Sequence, residues 1–198
     1  MVEDKPTAGP RLNRRATAAT VPASLRPPLV ITLACFSFLA VSGALLSGAR
    51  LLGWLGGGPA LGPRGLWLLL GHVAGGCLAP LPLSWFVIGH WTTARRHPNR
   101  AAVSRGRWLV GTVGGVLGSG LALVQVEGLP QLPAGGVGRT AALLLHGLLP
   151  LLAVAVYVAH RRAGPALRWG GLRWYAAAAG LATAGCLLAG GLPTRQTS

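Results

Sequence analysis

The sequence predicts an all-α membrane protein: a polytopic bundle of about five transmembrane helices, with its N-terminus inside and its C-terminus outside. Of the 198 residues, 52% are hydrophobic and only 11% are charged. The apolar residues fall into runs separated by short basic segments. A helix needs about 20 apolar residues to cross the hydrocarbon core of a bilayer, and several of these runs approach or exceed that length. The segments between the runs are too short to hold a soluble domain.

The elements follow in order along the chain. Residues 1–27 are polar, basic and rich in Pro, Ala and Thr, which predicts a disordered cytoplasmic tail. The helical bundle is expected at 28–192, followed by a short tail at 193–198. Its five spans are predicted at about 29–46, 66–91, 108–126, 140–160 and 174–192. The second span contains Pro80 and Pro82, which predict a kink, and the fifth is the least hydrophobic.

Lysine and arginine residues alternate between the two sides of the predicted spans. Their counts in the successive flanks, from the N-terminus to the C-terminus, are 5, 2, 5, 1, 4 and 1. Cytoplasmic loops of membrane proteins are enriched in these residues, so the alternation fits five crossings of a plasma (cytoplasmic) membrane by a multi-pass protein. The net charge of +15 is explained in the same way. Because the arginines form short clusters and no continuous patch, nucleic-acid binding is not predicted.

Three cysteines, Cys35, Cys77 and Cys186, lie within the apolar runs. Their number is odd and no C-x-x-C pair occurs, so neither a zinc site nor covalent c-type haem attachment is supported. The thiols are interpreted as small hydrophobic side chains packed between helices.

Histidine is the residue type that indicates a function. His72 and His90 lie on the second predicted span, and His146 and His160 lie on the fourth. A spacing of 18 residues is five whole helical turns, and a spacing of 14 is 40° short of four turns. Each pair therefore projects from one face of its helix, with axial separations of about 27 Å and about 21 Å. Polar, ionisable side chains inside a span are candidates for function.

The depths of the four histidines match across the two spans, which run in the same direction. His72 and His146 are expected near the outer surface, and His90 and His160 near the inner one. Helix bundles build cofactor sites from side chains on facing helices, and haem iron is held by axial imidazoles. Two cross-helix pairs therefore predict two haems. The alternative is that each histidine satisfies a polar contact or caps a span at the head groups. His97, in the basic loop, is interpreted as a solvated or lipid-head-group residue and not as a ligand.

The His-bearing second span, the H-x13-H of the fourth span and the Gly-rich span between them resemble the dihaem b-type cytochrome superfamily. This group includes the cytochrome b of quinol-oxidising complexes, cytochrome b561 proteins, and membrane subunits of hydrogenases and formate dehydrogenases. The resemblance covers roughly residues 66–160 and concerns architecture and ligand placement. It implies that His72 and His146 hold an outer haem b, and His90 and His160 an inner one. The unequal spacings of 18 and 14 depart from this group, whose ligand helices often share one spacing.

The resemblance favours an electron-transfer subunit of an oxidoreductase complex over a stand-alone enzyme. Expected partners are the lipid bilayer, a quinone pool and a redox protein such as a cytochrome c or an iron–sulfur subunit. Glu127 is a candidate acceptor of a quinol proton, or a plain loop carboxylate. Several glycines would let a flat macrocycle approach the backbone, or would serve ordinary helix packing: Gly71, Gly75, Gly76, Gly111, Gly114, Gly115 and Gly118.

Two other functions fit the composition. A haem-free structural or assembly subunit of a larger membrane complex would also be small, rich in Gly and Ala and without catalytic carboxylates. A small transporter is less favoured, because no acidic residue lies within a predicted span, where coupling ions usually bind.

Overall fold

The computed structural model describes residues 21–57, 62–95, 99–125, 131–163 and 172–189, and all regular structure in these ranges is helical, as predicted. A 3-10 turn at Ala23–Leu25 precedes the first helix, and a kinked turn at Gly53–Gly57, with Gly56 at φ 91°, follows it. The α-helices are α1 (Arg26–Leu52), α2 (Gly62–Leu78), α3 (Pro80–Ala94), α4 (Arg100–Leu123), α5 (Val137–Arg162) and α6 (Leu172–Ala189). Because α2 and α3 form one interrupted rod, the described helices correspond one to one with the five predicted spans.

The interruption between α2 and α3 lies at the two prolines of the second predicted span. Ala79 keeps helical backbone angles (φ −55°, ψ −33°). Its amide donates to the Gly75 carbonyl at 2.9 Å, and its own carbonyl accepts from Leu83 at 3.3 Å. Proline has no amide hydrogen, so Pro80 and Pro82 each remove one bond of the helical ladder. The helical path therefore continues through the break, with fewer hydrogen bonds to hold it straight.

Within the described residues, three helical stretches are long and apolar enough to cross a membrane: Ala23–Gly56, Arg64–Ala94 and Val137–Arg162. These stretches identify the chain as a membrane protein by length and composition. The first turns of α4 carry Arg100, Arg105 and Arg107, which shorten its apolar part. Membrane crossing by α4 and α6 stays a prediction, as do the count of five spans and the orientation.

Burial follows the pattern expected of a protein dissolved in lipid. Small or hydroxyl-bearing side chains are buried between the helices, among them Ser42, Thr112 and Ala142. Large apolar side chains point outward, as illustrated by Leu81, which is 70% exposed. Helices in lipid associate through close packing of small residues, whereas large exposed apolar surfaces mark a membrane or protein interface.

The helices pack in alternating directions. The most extensive contact is between α4 and α5, and α1 packs mainly on α6 and α2. The start of α1 lies against the end of α3, because Leu25 is beside Gly89, and the later part of α1 lies against α2, because Gly43 is beside His72. The start of α4 meets the end of α5, where Asn99 Nδ2 donates to the Ala163 carbonyl at 2.8 Å.

Arginines are concentrated at one end of the bundle, which is formed by the end of α3, the start of α4 and the end of α5. At this end, Arg107 lies over the Trp91 ring, 5.4 Å from its centre. Arg105 donates from a terminal nitrogen to the Ala159 carbonyl at 2.9 Å. The arginines described there are Arg95, Arg100, Arg105, Arg107, Arg161 and Arg162, and those on the opposite ends of α1, α2 and α5 are Arg50, Arg64 and Arg139. This asymmetry is the one that the positive-inside prediction requires.

Candidate functional site

The four predicted ligand histidines lie in two layers of the bundle. The outer layer contains His72 of α2 and His146 of α5, and the inner layer contains His90 of α3 and His160 of α5. All four side chains are half-buried. The names of the layers follow the predicted orientation of the chain.

In the outer layer, the His72 and His146 rings lie side by side. Their centres are 6.1 Å apart and their planes are nearly perpendicular, at 87°. The structure thus brings together the two residues that were predicted as the outer pair. Their helices, α2 and α5, are not among the extensively packed pairs of the bundle, so the two histidines approach across a gap between backbones.

The His72 ring is held from α1. Its Nδ1 lies 2.8 Å from the Ser42 hydroxyl oxygen. That hydroxyl donates its own hydrogen to the Phe38 carbonyl at 2.8 Å. Its oxygen therefore accepts from the ring, which assigns the hydrogen to Nδ1 and leaves the Nε2 lone pair free. Gly43 provides space for the ring, because a Cβ there would stand 3.1 Å from His72 Cε1.

The His146 ring is held from α4. Its Nδ1 lies 3.1 Å from the Val116 carbonyl oxygen and 3.3 Å from the Ser119 hydroxyl. A carbonyl can only accept, so Nδ1 carries the hydrogen and Nε2 again keeps a free lone pair. Gly120 makes room for the ring, since a Cβ at that position would lie 2.8 Å from His146 Cε1.

In the inner layer, His160 repeats the arrangement of His146. Its Nδ1 donates to the Ala102 carbonyl at 3.1 Å. A Cβ on Gly106 would lie 3.3 Å from His160 Cε1. In both layers the accepting carbonyl precedes the facing glycine by four residues on α4. The Ala102–Gly106 unit and the Val116–Gly120 unit are separated by 14 residues, which equals the spacing of the two histidines on α5.

His90 is held differently from the other three. Its ring stacks on Phe86 of the same helix, with centres 5.2 Å apart and planes within 9° of parallel. Within the described part of the chain, its ring nitrogens form no hydrogen bond. His90 lies within electrostatic range of His160, but the two rings are not in contact in the described residues. The inner pair is therefore less closely assembled than the outer pair.

The glycines that were weighed as cofactor contacts fall into two groups. Gly71, Gly75 and Gly115 face side chains of neighbouring helices, as shown by the Cys186 sulfur, 2.8 Å from where a Gly71 Cβ would stand. These positions serve helix packing. Gly76, Gly111, Gly114 and Gly118 have no such neighbour within 4 Å.

Three glycines that contact histidine rings, Gly43, Gly106 and Gly120, were missed by the sequence analysis. For Gly106 and Gly120 a signal existed, because their spacing of 14 matches that of His146 and His160 on the next helix. Ser42 was also missed, and nothing in the pattern of α1 distinguishes it from Ser37.

Positive charge surrounds the inner layer. Arg105 and Arg161 lie within electrostatic range of His160. His97 and Glu127, to which the sequence analysis assigned possible roles, lie outside the described residues, as do the other acids, Glu3 and Asp4.

Among the described residues, no three His, Cys, Asp or Glu side chains converge to form a site for a bare metal ion. A two-imidazole site has other requirements, because a tetrapyrrole supplies four nitrogen donors to its iron and leaves only two axial positions for the protein. Comparisons with protein-family models, with curated proteins and with solved structures find no match for this chain.

Proposed function

We propose that this protein is a dihaem b-type cytochrome subunit that carries electrons across a membrane, between a quinone pool and a redox partner protein. The observation that carries the proposal is the orientation of three histidines. His72, His146 and His160 each direct Nδ1 to an oxygen of a neighbouring helix. Metal-binding histidines almost always donate their second ring nitrogen in this way, because the contact fixes the tautomer and raises the basicity of the ligand.

The separation of the outer rings supports the proposal. An imidazole nitrogen binds a transition metal at about 2 Å, so two rings on opposite sides of one iron have centres roughly 6 Å apart. The centres of His72 and His146 are 6.1 Å apart. Perpendicular ring planes are compatible with axial ligation, because each ring can turn about its own metal–nitrogen bond.

The arginines of the inner layer suit the anionic propionates of a haem. In the inner layer, Arg105 and Arg161 would pair with the propionate carboxylates of a haem held by His90 and His160. The Arg105 nitrogen that donates to Ala159 fixes this side chain against α5 and leaves further N–H groups on the same guanidinium.

When bound, haem supplies a reversible one-electron couple, which no side chain of this protein provides. The histidines fix the axial positions, and the apolar helices exclude water. The separation of His146 and His160 by 14 residues sets the two layers about 21 Å apart along α5. The protein thus determines where the two redox centres lie and how deeply they are buried, and these are main determinants of their potentials.

The test is a dithionite-reduced minus air-oxidised absorption spectrum of the detergent-purified protein, with pyridine haemochrome quantification. Cells are grown with sufficient haem precursor. We expect about two b haems per chain, falling to about one in His72→Ala or His146→Ala. His97→Ala is the matched control, because it removes a histidine outside both pairs and should leave the haem content unchanged.

One haem in the wild type would remove one of the two pairs from the proposal. A well-folded, monodisperse protein without haem would refute it. The chain would then be assigned to the alternative class, a haem-free structural or assembly subunit of a larger membrane complex.

A further inference from the structure

We propose that Ser42 of α1 is a positioning residue for the outer haem site, because its hydroxyl oxygen fixes His72 as an Nε2 ligand. This inference rests on the proposed function of that site. It assigns to α1, which carries no histidine, a direct part in holding the cofactor.

The direction of the hydrogen bond follows from the number of hydrogens available. The Ser42 hydroxyl has one hydrogen, and two carbonyls of its own helix lie within reach, Phe38 at 2.8 Å and Leu39 at 3.3 Å. Ser42 is fully buried, so water does not compete for this hydrogen. With the hydroxyl bonded back to α1, its lone pairs are free to accept, and the His72 Nδ1 at 2.8 Å is the donor that meets them.

The two ligands of the outer layer depend on different kinds of acceptor. His146 donates to the Val116 carbonyl, which belongs to the backbone and survives any side-chain change there. The Ser119 hydroxyl, at 3.3 Å, is a second and longer contact to the same ring nitrogen. Within the described residues, His72 Nδ1 has Ser42 as its acceptor. One hydroxyl therefore determines the tautomer of one axial ligand.

Removing that hydroxyl removes the contact that keeps the ring hydrogen of His72 on Nδ1. Without an acceptor at Nδ1, the neutral ring no longer gains by keeping its hydrogen there, and the tautomer with the hydrogen on Nε2 becomes populated. That tautomer has no lone pair directed at the metal position. Loss of such an outer contact typically weakens metal binding by about 10-fold to 100-fold.

The experiment compares three serine-to-alanine variants of the haem-loaded protein. Ser42→Ala removes the acceptor of His72. Ser119→Ala removes the longer contact of His146 and leaves its carbonyl acceptor. Ser37→Ala is the matched control on α1, because Ser37 makes the same bond to its own helix, to the Leu33 carbonyl at 2.8 Å, and forms no hydrogen bond to a histidine in the described residues.

We expect Ser42→Ala to raise the dissociation constant of one haem by about 10-fold or more. The other haem should stay bound and thereby report that the bundle is still folded. In the fraction of Ser42→Ala that keeps both haems, only one of the two midpoint potentials should move. Ser37→Ala and Ser119→Ala should retain both haems and both potentials.

A second readout does not depend on haem. In the haem-free wild type, nitrogen-15 NMR at a pH where His72 is neutral should show its hydrogen on Nδ1, and Ser42→Ala should shift it towards Nε2.

A wild type without haem would refute the proposed function, and the NMR measurement would then decide only whether Ser42 sets the tautomer of His72. A wild type with two haems, together with a Ser42→Ala variant that matches Ser37→Ala, would overturn the inference alone. Equal loss of both haems in Ser42→Ala would also overturn it, since that result indicates a general structural role.

Discussion

The outer and inner layers contain the same residue type, histidine, but are assembled to different degrees. In the outer layer, both rings donate to a neighbouring helix and lie 6.1 Å apart. In the inner layer, His160 donates to Ala102, whereas His90 only stacks on Phe86 of its own helix. The difference shows that orientation of a ligand depends on what the adjacent helix offers. For His72 that helix is α1, which supplies the Ser42 hydroxyl and the space at Gly43.

The two histidine-bearing segments, α5 and the interrupted rod α2–α3, differ in a related way. On α5, both histidines meet a backbone carbonyl and a glycine of α4. On the interrupted rod α2–α3, His72 and His90 lie on opposite sides of the proline break and have unlike surroundings. A regular helix pair thus produces two equivalent ligand positions, and an interrupted rod produces two different ones.

The largest effect is expected from placing a side chain at Gly120, which lies against the hydrogen-bonded ring of His146. In Gly120→Leu the first added carbon would already stand 2.8 Å from His146 Cε1, so the ring must move away from its acceptor. We expect loss of about one haem per chain, measured by pyridine haemochrome quantification. Gly111→Leu is the control on the same helix, because no side-chain or distant backbone atom lies within 4 Å of a Cβ there. Equal haem loss in both variants would contradict the steric explanation.

An intermediate effect is expected at His90, whose ring nitrogens form no hydrogen bond in the described residues. Phe86→Leu removes the stacking partner of His90, and such ring pairs contribute about 0.5–1.5 kcal/mol. The affinity of the inner haem should fall by about 2-fold to 10-fold while the outer haem is unaffected, measured by haem release to an excess of apomyoglobin. Phe36→Leu provides the control, since no ring contact joins Phe36 to a histidine in the described residues. If the outer haem were released faster instead, the assignment of His90 to the inner layer would be wrong.

The smallest effect is expected from the hydrogen bond that joins α4 to α5 beside the inner layer. Arg105→Ala removes the hydrogen bond from α4 to the Ala159 carbonyl of α5. Hydrogen bonds between helices of membrane proteins contribute about 0.6 kcal/mol on average, so the unfolding temperature in detergent should fall slightly. Thermal unfolding followed by tryptophan fluorescence measures this change, with the exposed Arg162→Ala as the control. A decrease in unfolding temperature no larger than that of Arg162→Ala would show that this bond does not stabilise the packing of α4 against α5.

Much of the fold was predictable because a lipid environment restricts the secondary structures that the backbone can adopt. Each apolar run had to become a helix, since unpaired backbone groups are costly in hydrocarbon. Pro80 and Pro82 marked the interruption because they lack an amide hydrogen. The predicted pairing of His72 with His146 followed from helix geometry and from the matched depth of the two spans, and the structure places these rings together.

The acceptors of the histidines could not be predicted in the same way. The Val116 and Ala102 carbonyls have no sequence signature, because every residue type carries the same backbone carbonyl group. Ser42 could not be recognised as the acceptor of His72, because that contact depends on how α1 is rotated against α2. The weak association of His90 with His160 depends on the path of the chain after the proline break, which spacing alone does not determine.

The histidines of α5 and the glycines of α4 that face them share one spacing, and this has a consequence for the packing of the two helices along their whole length. Fourteen residues are two heptads, and they make four whole turns at the 3.5 residues per turn of a left-handed coiled coil. Because His160 repeats the contacts of His146 after this interval, the interface between the helices has the same period. Adding or removing one heptad in both helices would preserve each carbonyl–imidazole contact and change the distance between the layers by about 10 Å. Insertion of three or four residues in one helix would instead move one histidine away from its glycine by about one turn, roughly 5 Å along the helix axis.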